Sequence, residues 1–286
     1  MIVSMGSAYK DQCIVFVTKH EKSAAVTHTF EKTLSAGVIE YVTDTDKFGT
    51  FSGEVERKGT PLEIVRKKCQ LALQKAKADY GLASEGSFGK HPLMPMLPLD
   101  REILYFIDKP RKFELHIADS YTETNYKTIT CSSFEEVTRF AEEALFPSHA
   151  LIIRSSPRDK KKPVYKGLSN LTALENAYLE ALKCSSDGRV LVETDMRANF
   201  NPTRMRMIEK LGIQLANRLS KSCPVCRTPG WGKVDSLFGL PCGGCGHPTD
   251  ELSAVINGCQ KCSNKEVLNV EEGKLADPLL CLNCNP

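Results

Sequence analysis

No run of apolar residues in this 286-residue chain approaches the roughly 18 needed to cross a bilayer, so no membrane span is expected. The opening stretch, MIVSMGSAYKDQCIVFVTKHEK, lacks the basic start, long apolar segment and small-residue cleavage site of a secretory signal, which points to the cytoplasm. Thiols stay reduced in that compartment, so paired cysteines there read as metal ligands rather than disulfides. Neither a P-loop nor a Gly-x-Gly-x-x-Gly turn is present, which removes two familiar glycine-rich phosphate cradles. The stretch EGSFG holds Gly-Ser-x-Gly, not the Gly-x-Ser-x-Gly of a nucleophile elbow, so Ser87 is not expected to be a hydrolase nucleophile. Apart from the cysteine pairs there is no internal repeat, and there is no low-complexity segment. A net charge of +3 is too small to argue for a polyanionic partner by itself.

What is present is ordinary for a globular protein: 41% hydrophobic and 26% charged residues, in a chain long enough for one large domain and a small one. Residues 13–18, 37–43, 149–155 and 189–194 read as strands, and 102–108 with 112–118 as an antiparallel pair turning at Lys109-Pro110. A short strand, YGLAS, is expected to end at Glu85. Helices are expected after the first strand and over 60–79, 133–145, 170–184 and 201–220. The helix over 60–79 has the clearest start: Thr60 as N-cap, Pro61 at the first position, and Glu63 closing a capping box. Residues 157–163, PRDKKKP, read as a solvated loop. The fold class is α/β: one mixed sheet flanked by helices over residues 1–218, and a small cysteine-rich region over 219–286.

Eight of the twelve cysteines form Cys-x-x-Cys pairs: Cys223/Cys226, Cys242/Cys245, Cys259/Cys262 and Cys281/Cys284. Two residues between cysteines let both sulfurs reach one ion at about 2.3 Å, and two such turns make a closed tetrahedral zinc site. The spacers between pairs are 15, 13 and 18 residues. Pairing consecutive turns, first with second and third with fourth, uses the two longer spacers and gives two zinc ribbons. Cross-bracing, first with third and second with fourth, is the alternative. His247 is a further candidate ligand, although eight thiolates already fill two sites. Closed sites make this zinc structural, supplying folding free energy to a region with little apolar sequence. Cys13, Cys69, Cys131 and Cys184 stand alone on apolar segments and are expected in the core. From residue 220 onward six Lys/Arg face seven Asp/Glu, a balance that argues against nucleic acid as the tail's partner and favours docking a protein or covering the α/β domain.

Three polar sets fall where strands are expected to end. They are Thr18-Lys19-His20-Glu21; Glu54, Glu56 and Glu85; and Glu193, Asp195, Arg197, Asn201 and Arg204. Carboxylates near lysine and arginine at a helix start suit a magnesium-bound phosphate substrate, the acids holding the metal and the cations the phosphate oxygens. The plainer reading is structural, with Asn201 capping a helix and Asp195 pairing with Arg197.

The motifs GLASEGSFGKHP, ETDMRANFNPTRM, CPVC…PGWG, GLPCGGCGHPT and DPLLCLNCNP resemble a family of uncharacterised bacterial proteins classed as a domain of unknown function. The order of elements over 12–210 is similar to the inosine triphosphate pyrophosphatase superfamily, through Lys19 or Lys22, Glu54 or Glu56, Lys67 or Lys68, Glu85 and Arg197. That second resemblance implies magnesium-dependent cleavage of a nucleoside triphosphate to monophosphate and pyrophosphate. It implies Glu85 holding or deprotonating the attacking water, with Glu54 or Glu56 and Asp195 as metal ligands. Lys19, Lys68 and Arg197 would neutralise the triphosphate, with His20, Ser87, Asn201 and Arg204 as further substrate contacts. The superfamily's Ser-His before its late arginine has no counterpart here. The alternative is a zinc-ribbon adaptor without catalysis, binding a protein or RNA.

Overall fold

A computed structural model describes residues 7–45, 49, 58–156, 161–271 and 273–286. Glu54 and Glu56 therefore lie outside the described residues. The first sheet contains β1 (Cys13–Thr18), β2 (Gly37–Val42), β3 (Tyr80–Lys90), β4 (Pro98–Asp108) and β5 (Phe113–Tyr121), in the order β2-β1-β3-β4-β5. β1 pairs in parallel with β2 and β3, whereas β3, β4 and β5 form an antiparallel meander. The run Ile14–Val17 is buried throughout, as a central strand covered on both faces requires. Ile14 and Phe16 join Phe30 of α1 (Thr27–Leu34) and Leu211 and Leu215 of α5 (Pro202–Leu219) in one core. Val15 and Val17 point the other way, into a core with Val65, Cys69 and Leu73 of α2 (Pro61–Lys75). The expected capping box is present: Glu63 N–H donates to Thr60 Oγ1 at 3.3 Å, and Thr60 N–H to Glu63 Oε2 at 2.8 Å.

A second, wholly antiparallel sheet corrects the expectation of one mixed sheet. It contains β6 (Thr128–Cys131), β7 (Leu151–Ser155), β8 (Val164–Leu168) and β9 (Val190–Thr194), in the order β6-β9-β7-β8. Leu151, Ile153, Val190 and Val192 pack on α3 (Phe134–Glu143) and α4 (Leu171–Lys183). By strand alternation, Ile152 and Glu193 face the opposite side. β6 and β8 escape a reading based on apolar runs because each buries only its last residue.

β3 also differs from expectation, running through Glu85 to Lys90 instead of stopping at the acid. Its parallel pairing with β1 ends at Ala83, but antiparallel pairing with β4 continues to Lys90 opposite Pro98. Glu85 thus stands just past the end of the parallel ladder, in mid-strand. Gly86 is required for a packing reason: a Cβ there would collide with the Arg204 guanidinium and the Glu102 carboxylate that cross above it.

The third sheet is a meander of β10 (Gly232–Phe238), β11 (Leu252–Gly258) and β12 (Lys265–Asn269). Its buried apolar cluster consists of Trp231, Cys223 and Cys259, in keeping with the small core expected there. Of the lone cysteines, Cys69 and Cys131 are buried and Cys184 is half-buried. Cys13 is exposed, contrary to expectation, because the first residue of β1 precedes the part that enters the core. Among the described residues, no helix is long and apolar enough to cross a membrane.

Candidate functional site

The tail places its eight paired cysteines in two groups: Cys223, Cys226, Cys259 and Cys262, and Cys242, Cys245, Cys281 and Cys284. This is the cross-braced arrangement and corrects the consecutive pairing. The cause is strand direction. Antiparallel pairing sets Gly232, at the start of β10, opposite Gly258, at the end of β11, which brings the first cysteine turn beside the third. β12 then runs back along β11, with Asn269 opposite Ala254, returning the chain to the end that holds the second turn. The fourth turn follows, and Ala276 bridges to Cys242.

The sulfurs sit 3.6 Å apart in Cys223–Cys262 and 3.5 Å in Cys226–Cys259. In the second group the separations are 3.8 Å for Cys242–Cys284 and 3.7 Å for Cys245–Cys281. Four sulfurs tetrahedrally placed about 2.3 Å from one zinc are about 3.8 Å apart, so both groups have the dimensions of a zinc tetrathiolate. Backbone N–H groups of Lys261 and Gly244 donate to Cys259 and Cys242 sulfurs, each at 3.3 Å. His247 belongs to neither group and accepts the Cys242 N–H through its carbonyl at 2.8 Å.

A cleft of about 390 Å³ opens between the first two sheets. The end of β1 supplies Thr18, Lys19 and His20, the short 3-10 turn Lys22–Ala25 supplies Lys22, and α2 supplies Lys68. β3 contributes Ser84 to Phe88, while Lys166 and Glu193 come from the second sheet, Arg197 from the segment before α5 and Arg204 from the first turn of α5. Among the described residues, six Lys/Arg and two carboxylates line it, a formal excess of four positive charges. Such a cleft attracts anions, and its size suits a small phosphorylated molecule.

Ten residues singled out from sequence therefore meet here: Thr18, Lys19, His20, Lys22, Lys68, Glu85, Ser87, Glu193, Arg197 and Arg204. Lys19 pairs with Asp44 at 3.6 Å, and Lys68 with Glu85 at 2.6 Å. Asp195 and Asn201 are buried behind the lining. Asp195 receives the Arg197 guanidinium (Nη2 at 2.6 Å) and N–H, and the Gly167 N–H at 3.0 Å, the arrangement of a clamp that holds Arg197 in place. Asn201 caps α5 by accepting the Arg204 N–H at 3.0 Å.

The sequence reading passed over Asp100 and Glu102 on β4 and Lys166 on β8. The two acids had a legible signal. Positions 100, 102, 104 and 106 share one strand face, and Leu104 and Phe106 belong to the core, so both acids point inward. Arg204 Nε donates to Glu102 Oε1 at 2.5 Å, and this buried pair stacks beneath the Phe88 ring, 5.0 Å from the guanidinium carbon. Asp100 is 1% exposed, and among the described residues no hydrogen-bond donor reaches either of its oxygens or Glu102 Oε2. Burial, and then the Glu102 charge, push the Asp100 carboxyl up to about 8. A proton on Asp100, facing Glu102, satisfies both acids at neutral pH. Lys22 reaches the same cluster, its Nζ donating to Ser84 Oγ at 2.9 Å. Burial, and then the Arg204 charge, bring the Lys22 ammonium down to about 7.

A search of curated proteins found no match. A model of DUF6671, described as a domain of unknown function, matches residues 68–286, which takes in both cysteine groups and, of the cleft, Lys68 and everything after it. With that match covering well over half of its length, the chain belongs to the DUF6671 family.

Proposed function

We propose that the cleft binds a phosphate-bearing small molecule of about nucleotide size, and that the tail holds two structural zinc ions. The single observation carrying the first part is the lining: six lysine and arginine side chains around about 390 Å³, three of them paired with Asp44, Asp195 and Glu102 outside it. Lys19, Lys68, Lys166 and Arg197 would meet the phosphate oxygens, as spaced cations with fixed partners do at other anion sites. Titration calorimetry with inorganic pyrophosphate and with nucleoside triphosphates tests this. Binding should weaken roughly tenfold in Lys166→Ala, the cost of one charge-assisted hydrogen bond, and should weaken further as salt is raised. If no phosphate compound binds, the reading falls.

The finer reading is magnesium-dependent pyrophosphohydrolysis on a fold like that of the inosine triphosphate pyrophosphatase superfamily. It would use Glu85 toward water and Glu54 or Glu56, with Asp195, toward metal. The partners of Glu85 and Asp195, Lys68 and Arg197, favour binding over hydrolysis. Pyrophosphate release from triphosphates with magnesium, lost in Glu85→Gln while binding persists, supports the hydrolytic reading; release that survives in Glu85→Gln rejects that assignment. A second reading, a tail that docks another protein, draws on the exposed Phe238, Leu279 and Leu282 near the second cysteine group.

A further inference from the structure

Among the described lysines of the cleft Lys22 is the most buried, being 8% exposed, with the Lys68 side chain at 12%. Its short turn begins after Glu21, whose φ of 53° swings the chain so that Lys22 points inward, toward β3. The charged groups that act on it most are Lys68 from α2, Arg204 from α5, Glu85 from β3 and Glu102 from β4, with Asp100 of β4 also interacting. Burial, and then the Arg204 and Lys68 charges, disfavour the ammonium more than Glu102 and Glu85 favour it, and an uncharged amine is a nucleophile. Ser84 Oγ, at 2.9 Å, fixes the direction of the amine and can pass a proton. Lys166 and Arg197 line the same cleft and provide places for a phosphate near that amine.

We propose that Lys22 forms an imine with the carbonyl group of a phosphorylated aldehyde or ketone held in the cleft. This rests on the reading of the cleft as a phosphate site and adds the chemistry of the bound molecule. The Lys22 lone pair attacks the carbonyl carbon and a C–N bond forms. The carbonyl oxygen gathers two protons, one from the amine through Ser84 or water and one from solvent, and leaves as water. The nitrogen loses its second proton to solvent as the C=N bond completes, so one water is released and no oxidant or reductant is needed.

The test uses pyridoxal 5′-phosphate as probe, followed by borohydride to fix any imine, with peptide mass mapping of the intact protein's adducts. A solvated lysine at pH 7.5 has roughly one amine in a thousand unprotonated. Lys22 should therefore be modified at least roughly tenfold more than any exposed lysine, even allowing for its weaker basicity. Its yield should rise through about pH 7 and level off above, where surface lysines are still gaining. Pyridoxal lacking the phosphate should label it far less, and inorganic pyrophosphate should block it. Lys22→Met, checked for native circular dichroism, should lose that adduct alone. Adducts confined to surface lysines, or a Lys22 adduct that pyrophosphate does not block, overturn the proposal. Calorimetry with pyrophosphate separates the failures: if pyrophosphate binds but Lys22 stays unmodified, the amine chemistry is wrong and the phosphate cleft stands; if neither occurs, both are wrong.

Discussion

Cys259→Ser is expected to release one of two zinc equivalents and to open Cys223, Cys226 and Cys262 to alkylation, while Cys242, Cys245, Cys281 and Cys284 stay protected. The expectation follows from the two cysteine groups and from the strand directions that assemble them. Consecutive pairing would expose Cys262, Cys281 and Cys284 and leave Cys223 shielded, so mass mapping of alkylated peptides separates the two connectivities in one experiment. The effect is large because the apolar cluster around the first cysteine group has three members, two of them cysteines of that group. Structural zinc contributes roughly 10–16 kcal/mol in small domains of this kind. Losing a thiolate should therefore unfold the adjoining end of the sheet, seen as rapid proteolysis between 219 and 265. A strong chelator should do the same to both ends. If Cys281 and Cys284 become reactive in Cys259→Ser, or if the chelated tail keeps its protease resistance, the assignment of these sites is wrong.

Glu102→Ala should be the most damaging single substitution in the cleft. It leaves the Arg204 guanidinium buried without its carboxylate, a situation that costs roughly 3–5 kcal/mol. Arg204 is 6% and Glu102 0% exposed, so water cannot readily substitute. A drop of roughly 10 °C in melting temperature is expected, on the order of 2–4 °C per kcal/mol for a domain of this size. Glu102→Leu combined with Arg204→Met should recover most of it, since replacing both ions removes the unpaired charge. The neighbouring acid adds a pH dependence with a definite sign. Asp100 holds its proton up to about 8 in the fold. In the unfolded chain it releases it near pH 4. The folded state therefore binds more protons between those values, and this group's contribution to stability falls as pH rises through that window. Asp100→Asn should flatten the decline. A melting temperature unchanged in Glu102→Ala would show that the pair is solvated, and an identical pH profile in Asp100→Asn would show that Asp100 is ionised throughout.

Local features of the fold were legible because they depend on nearby residues. The α2 capping box and the Asn201 cap each follow from side chains within a turn of one another. The two-sheet division was not, because β6 and β8 carry no apolar run of their own and β6 takes its pairing from β9, far away in sequence. The cysteine ligands were plain from spacing. Their grouping was not, since spacing counts residues along the chain, whereas a meander decides which turns meet. In the cleft, exposed-looking polar clusters drew attention to Lys19 and Arg197. Asp100 and Glu102 were hidden inside a strand whose two-residue alternation, followed to its start, would have turned them toward Arg204.

The tail's sheet has an unusual freedom. β12 is exposed at every position, and the β10–β11 ladder shifts at Lys233/Asp235 and again at Leu237/Phe238, so no greasy face prevents these strands from sliding past each other. A bolt at either end does so instead: each sulfur quartet clasps two segments at opposite tips of the hairpin, and slippage by one residue would tear both. Alignment thus costs the intervening side chains nothing, and their identities are left open to whatever else that surface touches.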